Sequence, residues 1–130
     1  MDTSAVLRAV LERGLTPDID RRLHSATSLV TSRLALVESA RAFVRARYLG
    51  IATEAVLRAG EREVAEIWSR CAVWDVRPDV CDLAGRIAPG TNLRSLDALH
   101  LATFVLAGRG LDRLELLTAD RRLAEAAALV

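Results

Sequence analysis

The run ATSLVTSRLALVESARAFVRARYLG, residues 26–50, changes its period midway. Ala26 to Thr31 is brief, apolar at its centre and bounded by polar residues, which predicts a short buried strand. Thr31 or Ser32 then caps a helix that runs to about Leu49, where Gly50 closes it. On this helix Leu36, Val37, Ala40, Phe43, Val44 and Tyr48 predict the apolar stripe, and Glu38, Arg41 and Arg45 fall on the opposite side. A strand that leads directly into a helix is half of a crossover unit, so the chain is expected to be α/β.

The flanking sequence repeats the alternation. Upstream, Val6, Leu7, Val10 and Leu11 are spaced for one helix face over Thr3 to Arg13, with Gly14 as the stop, and a short helix follows Pro17. Downstream, Thr53 to Arg70 is amphipathic and gives way to CAVWDV, residues 71–76, a second strand. Pro78 opens a helix ending near Ile87, and Pro89-Gly90 breaks the chain. Ser95 is expected to cap a helix from Leu96 to Ala107 that is apolar around nearly its whole circumference and therefore belongs in the interior. Leu114 to Thr118 reads as a third strand, and Asp120 opens a last helix, Arg121 to Leu129. Strands separated by helices imply a parallel sheet covered on both faces.

At 130 residues the chain suits a single domain, 1–130, with one core. No apolar run reaches the roughly 20 residues of a bilayer span, and no secretory leader is visible, so a cytoplasmic protein is expected. Cys71 and Cys81 lie in no CxxC and near no histidine pair, which argues against zinc and against a disulfide framework; both are expected as reduced core residues. The net charge of +1 means that any nucleic-acid binding has to come from local clustering. With no lysine in the chain, that clustering would be of arginines, whose planar fork suits phosphate.

Ligands of an open parallel sheet gather beyond the carboxyl ends of its strands. Judged by that location, Asp2, Asp97 and Asp120 qualify directly, and Glu38 qualifies through a long side chain on a helix that begins where a strand stops. Each has an ordinary reading too. Asp120 suits an N-cap, Asp97 a helix dipole or a pair with His100, Glu38 a surface pair with Arg41, and Asp2 a frayed terminus. Crowded carboxylates repel unless a cation neutralises them, and oxygen-only donors favour Mg²⁺ or Mn²⁺ over zinc.

Four motifs occur in order: Asp2-Thr3-Ser4-Ala5, Thr31-Ser32 with Glu38 in SRLALVESAR, LDALHLA at 96–102, and Leu117-Thr118-Ala119-Asp120. Taken as a set spanning almost the whole chain, they resemble the PIN-domain family, particularly VapC-like toxins of bacterial toxin–antitoxin pairs. The resemblance implies a three-layer fold in which a short parallel sheet is flanked by helices. It further implies an acidic pocket of Asp2, Glu38, Asp97 and Asp120 holding Mg²⁺ or Mn²⁺, endonucleolytic RNA cleavage, and control by a VapB-like antitoxin. Ser4 and Thr118 are expected to orient carboxylates or waters, though turn or cap chemistry suits them equally. Arg41 and Arg45 are expected at RNA phosphates, or on an ordinary solvated face. His100 is expected as a hydrogen-bonded helix residue, and Trp68 and Trp74 as core or interface residues. Apolar helix faces, with the family pattern, suggest a homodimer.

The family's first strand has no counterpart before Asp2, and its last edge strand none after AEAAALV, so a thin sheet of three strands is expected. Two other functions remain in view: a PIN-like module that binds a protein partner without catalysis, and a nucleotide-binding or phospho-acceptor α/β domain. The second lacks any Gly-rich phosphate loop.

Overall fold

The computed structural model describes residues 1–12 and 16–130. The helix end expected at Arg13 and the stop at Gly14 lie outside them. Among the described residues the order is α1 (Thr3–Leu11), α2 (Pro17–Ser25), β1 (Leu29–Ser32), α3 (Arg33–Tyr48), α4 (Glu54–Ser69), β2 (Cys71–Trp74), α5 (Pro78–Ala84), α6 (Ser95–Gly108) and α7 (Arg121–Ala127).

Cap chemistry sets most helix starts. Ser32 accepts from the Leu34 N–H, Thr53 from that of Val56, and Asp120 from those of Arg122 and Leu123. α2 and α5 start instead at Pro17 and Pro78, and α6 also lacks a side-chain cap bond: Ser95 is its first helical residue rather than its cap, and Arg94 stands at the cap position.

β1 and β2 pair in parallel, Leu29 opposite Cys71 through Ser32 opposite Trp74, with α3 and α4 as the crossover. The ladder has two strands rather than three. Leu114–Thr118 forms no ladder, although it keeps the alternation of a strand: Leu117 packs into the core built on α1, α3 and α4, and Leu116 faces the smaller cluster of Leu101, Leu123 and Ala126. Its neighbour is Met1-Asp2, which turns at once into α1. One bond, Asp2 N–H to the Leu117 carbonyl at 3.1 Å, is all that this neighbour supplies to the segment's backbone. The two clusters on either side of this extended layer make the α/β sandwich expected from the alternating pattern.

Three side-chain expectations change. The buried face of α3 is Ala35, Ser39, Phe43 and Ala46, whereas Val37, Val44 and Tyr48 are exposed. Small residues serve there because α1 and α4 approach closely: a Cβ built on Gly60 of α4 would lie 3.0 Å from the Phe43 ring. In α6 only His100, Leu101, Ala102, Thr103 and Ala107 are buried, and Leu96 is exposed, so the helix is half-covered rather than interior. Both cysteines are free thiols, as expected; Cys71 is half-buried against the main core, whereas Cys81 is exposed and outside it.

Trp68 lies against the main core, where its indole donates to Ser39 at 3.1 Å, and Trp74 carries the Arg77 guanidinium over its face at 5.5 Å. The α3–α4 turn is clasped by Arg47, which bonds Glu54 at 2.9 Å and Glu61 at 2.6 Å. Hydrogen bonds from Arg47 and Arg58 lower the Glu54 carboxyl to about 2. No helix among the described residues is long and apolar enough to cross a membrane.

Candidate active site

Asp2 caps α1, and it is not frayed: its side chain is buried, and its Oδ1 accepts the Ala5 N–H at 3.2 Å. The strand next door fixes its backbone, since the Met1 amino group bonds the Val30 carbonyl and the Thr31 hydroxyl bonds the Met1 carbonyl. Ser4 lies within 2.9 Å of both oxygens of Asp2.

Ser4 also reaches across the fold. Its Oγ accepts the Ala119 N–H at 2.9 Å and lies 3.2 Å from the Thr118 hydroxyl, which in turn accepts the Asp120 N–H at 3.0 Å. Two hydroxyls thus join the start of α1 to the start of α7, 114 residues apart in sequence. Asp120 is an N-cap through Oδ1, with the Arg122 N–H at 2.8 Å and the Leu123 N–H at 3.3 Å. Its Oδ2 makes no hydrogen bond among the described residues and has only the Arg122 guanidinium at 3.8 Å.

Asp97 stands in the first turn of α6. Burial pushes its carboxyl above the ordinary value, and the negative charge of Asp120 adds to the rise; a hydrogen bond from the Arg94 backbone and the charges of Arg122 and His100 oppose it. The last-turn segment before α7 and the first turn of α6 therefore bring two acids into mutual repulsion.

Glu38 does not pair with Arg41. It turns inward, and its Oε2 receives the Thr3 hydroxyl at 2.5 Å and meets His100 Nε2 at 2.7 Å. Burial pushes the Glu38 carboxyl up, but the bonds from His100 and Thr3 outweigh it and hold the group below its usual value. Sequence reading passed over Thr3 and gave His100 an ordinary helix role. The signal for Thr3 was its place between Asp2 and Ser4; for His100 it was the i, i+3 spacing from Asp97, which puts both on one face of α6.

Hydrogen bonds form two chains, Asp2–Ser4–Thr118–Asp120 and Thr3–Glu38–His100, which start from the adjacent residues Asp2 and Thr3; Asp97 is coupled to Asp120 and His100 through charge alone, with no side-chain hydrogen bond among the described residues of this cluster. Arg41 and Arg45 stay outside it, exposed on α3, with no ion pair among the described residues. Arg45 follows Glu38 by two turns on nearly the same line of the helix.

The donors are hard oxygens, and the raised Asp97 beside Asp120 marks a place where negative charge is in excess; both properties fit a hard divalent cation. As placed, no three His, Cys, Asp or Glu side chains among the described residues are grouped so that they could hold a metal ion. Glu38 is drawn to His100 and Thr3, and Asp120 to the backbone of α7.

The chain is similar to known proteins in sequence and in fold. The chain matches the family model described as PIN domain over residues 1–129. It is 33% identical over 127 residues to Ribonuclease VapC46 of Mycobacterium tuberculosis, an alignment covering 98% of this chain and 88% of that protein. Among solved structures it is similar to PAE2754 from Pyrobaculum aerophilum, with a TM-score of 0.66 at 22% identity, over 96% of this chain and 76% of the other; that likeness concerns the fold.

Proposed function

The chain belongs to the PIN domain family, and from that premise we propose that it is a Mg²⁺- or Mn²⁺-dependent endoribonuclease toxin, neutralised by a VapB-like antitoxin. The observation that carries the reading is the convergence of four acids: Asp2 and Asp120 are linked through the Ser4 and Thr118 hydroxyls, Glu38 is held by Thr3 and His100, and Asp97 feels the charge of Asp120. The 33% identity to a protein named a ribonuclease supports the substrate class.

Asp2, Glu38 and Asp97 would hold the cation, directly or through water, with Asp120 completing the acidic set. When bound, a divalent cation offsets the repulsion between these carboxylates and supplies Lewis acidity to a phosphodiester. Ser4 holds Asp2 in one orientation, and Thr118 fixes the backbone from which Asp120 projects. Asp97 is held above its ordinary value by burial and the charge of Asp120, and a positive charge arriving nearby would favour its ionised form. Arg41 and Arg45 lie where an extended RNA leaving the acidic site along α3 would place its phosphates. The expected setting is the cytoplasm.

The test is cleavage of structured RNA by the purified chain with and without Mg²⁺ or Mn²⁺. Cleavage is expected only with the metal, and Asp97→Asn is expected to abolish it while the far-UV circular dichroism spectrum is kept. Cleavage that persists in a chelator would reject this mechanism. A second reading, a PIN-like module that binds a protein without catalysis, draws on the exposed Val37, Val44, Tyr48, Leu49, Ile51 and Val56 of α3, α4 and their connection. The same surface suits an antitoxin or a second copy in a homodimer. Tight antitoxin binding by a folded chain that cleaves no RNA under any metal condition would favour that module.

A further inference from the structure

We propose that His100 is the positioning residue of Glu38: together with Thr3 it closes on one oxygen of that carboxylate and leaves the other as its single free oxygen toward a hard divalent cation. The inference rests on the metal-dependent reading above and deepens it.

His100 is almost fully buried, its side chain 4% exposed against 26% for Glu38. An imidazole so enclosed requires a partner, and its Nε2 has one, Oε2 of Glu38 at 2.7 Å. The Thr3 hydroxyl reaches the same oxygen at 2.5 Å. An ionised carboxylate has only acceptors, so Nε2–H and the hydroxyl both donate. Oε1 has no hydrogen-bond partner among the described residues. Two donors on one oxygen leave a directed single-oxygen face.

Glu38 needs such support more than the other acids. Asp2 and Asp120 are held by their own caps, and Asp97 has a short side chain in the first turn of a helix. A glutamate in the second turn of α3 has three rotatable bonds, and fixing them on a ligand costs conformational entropy unless the protein has already done so. The brace also joins three elements at one atom: Thr3 belongs to α1 beside Asp2, Glu38 to α3, and His100 to α6 one turn beyond Asp97. Because the imidazole is enclosed, it acts through Glu38 and not on the phosphodiester.

The experiment has two readouts on the full chain. In the absence of metal, a double-mutant cycle of His100→Ala and Glu38→Ala, read by urea denaturation, is expected to show coupling of about tenfold in the unfolding constant. By calorimetric titration with Mn²⁺, His100→Ala is expected to bind at least about tenfold more weakly than the parent, the usual size for loss of a group that orients a metal ligand. His100→Gln, whose amide places a donor near the position of Nε2, is expected to restore most of the affinity. Should His100→Ala not fold, Thr3→Val removes the other donor to the same oxygen without a large change of volume, and a smaller loss of Mn²⁺ affinity is expected.

Additive effects in the cycle, or parental Mn²⁺ affinity in both His100→Ala and Thr3→Val, would overturn the proposal while leaving metal binding intact. A parent that takes up no Mn²⁺ while the cycle still shows coupling would overturn the metal reading itself, and with it this role for the brace.

Discussion

Two of the four acids, Asp2 and Asp120, serve as helix caps, and a cap need not compete with a second role. Asp120 spends Oδ1 on the Arg122 and Leu123 N–H groups, while Oδ2 makes no hydrogen bond among the described residues. One carboxylate therefore has a structural oxygen and a free one. Substitution can separate them. Asparagine is as good a cap as aspartate, whereas alanine is not, so Asp120→Ala is expected to lose about 1 kcal/mol of stability and Asp120→Asn close to none. Asparagine also removes the charge that helps to push Asp97 up, which further favours the folded state of that variant at neutral pH. Both variants are expected to lose RNA cleavage by tenfold or more, because both lack the negative oxygen. Calorimetry and single-turnover rates check the pair. Full cleavage by Asp120→Asn would show that the residue is a cap and nothing else.

At the level of elements, the starts of helices were legible and their inner faces were not. Ser32, Thr53 and Asp120 announce themselves because a side-chain oxygen beside unpaired N–H groups is a local chemical event. Which face of α3 turns inward depends instead on how near its neighbours come. Hydropathy favoured Val37, Val44 and Tyr48, yet the approach of α1 and α4 selects Ala35, Ser39 and Ala46 around Phe43. Gly60 is the other side of that contact. Alanine there would gain about 0.5–1 kcal/mol of helix propensity. Its Cβ, however, would stand 3.0 and 3.3 Å from two atoms of the Phe43 ring and 3.4 Å from Leu11. Phe43 is buried and has little room to withdraw, and overpacking of this kind costs about 1–3 kcal/mol. Gly60→Ala is thus expected to lower stability by about 1 kcal/mol in urea denaturation; a rise would mean that α4 can shift outward freely. The strand read at Leu114–Thr118 failed for a related reason, since alternation specifies two faces but not a neighbour with which to pair.

Across the whole molecule, the order of four short motifs named Asp2, Glu38, Asp97 and Asp120, and each lies at or near the start of a helix, Asp2 and Asp120 as caps, Asp97 in the first turn of α6 and Glu38 in the second turn of α3. The contacts of Thr3 and His100 with Glu38 were not legible because they exist only after α1, α3 and α6 have come together; neither residue has a sequence signal for them apart from its neighbours. The same distinction applies to RNA. A net charge of +1 gives little long-range attraction, so affinity for a polyanion has to come from side chains that are not already neutralised. Several arginines are already committed, Arg47 to Glu54 and Glu61, Arg77 to Asp79, Arg22 to Glu115 and Arg33 to Asp75. Arg41 and Arg45 make no ion pair among the described residues and share the Glu38 side of α3. Each phosphate neutralised on a single strand adds about 0.7 to the slope of log affinity against log salt. Replacing both arginines by alanine in the Asp97→Asn background, where RNA is expected to stay intact, should therefore reduce that slope by about 1.4. Their exposure means that the melting temperature should hardly change. Fluorescence anisotropy of a labelled single-stranded RNA between low and moderate salt measures the slope, and an unchanged value would place the RNA path on another face of the protein.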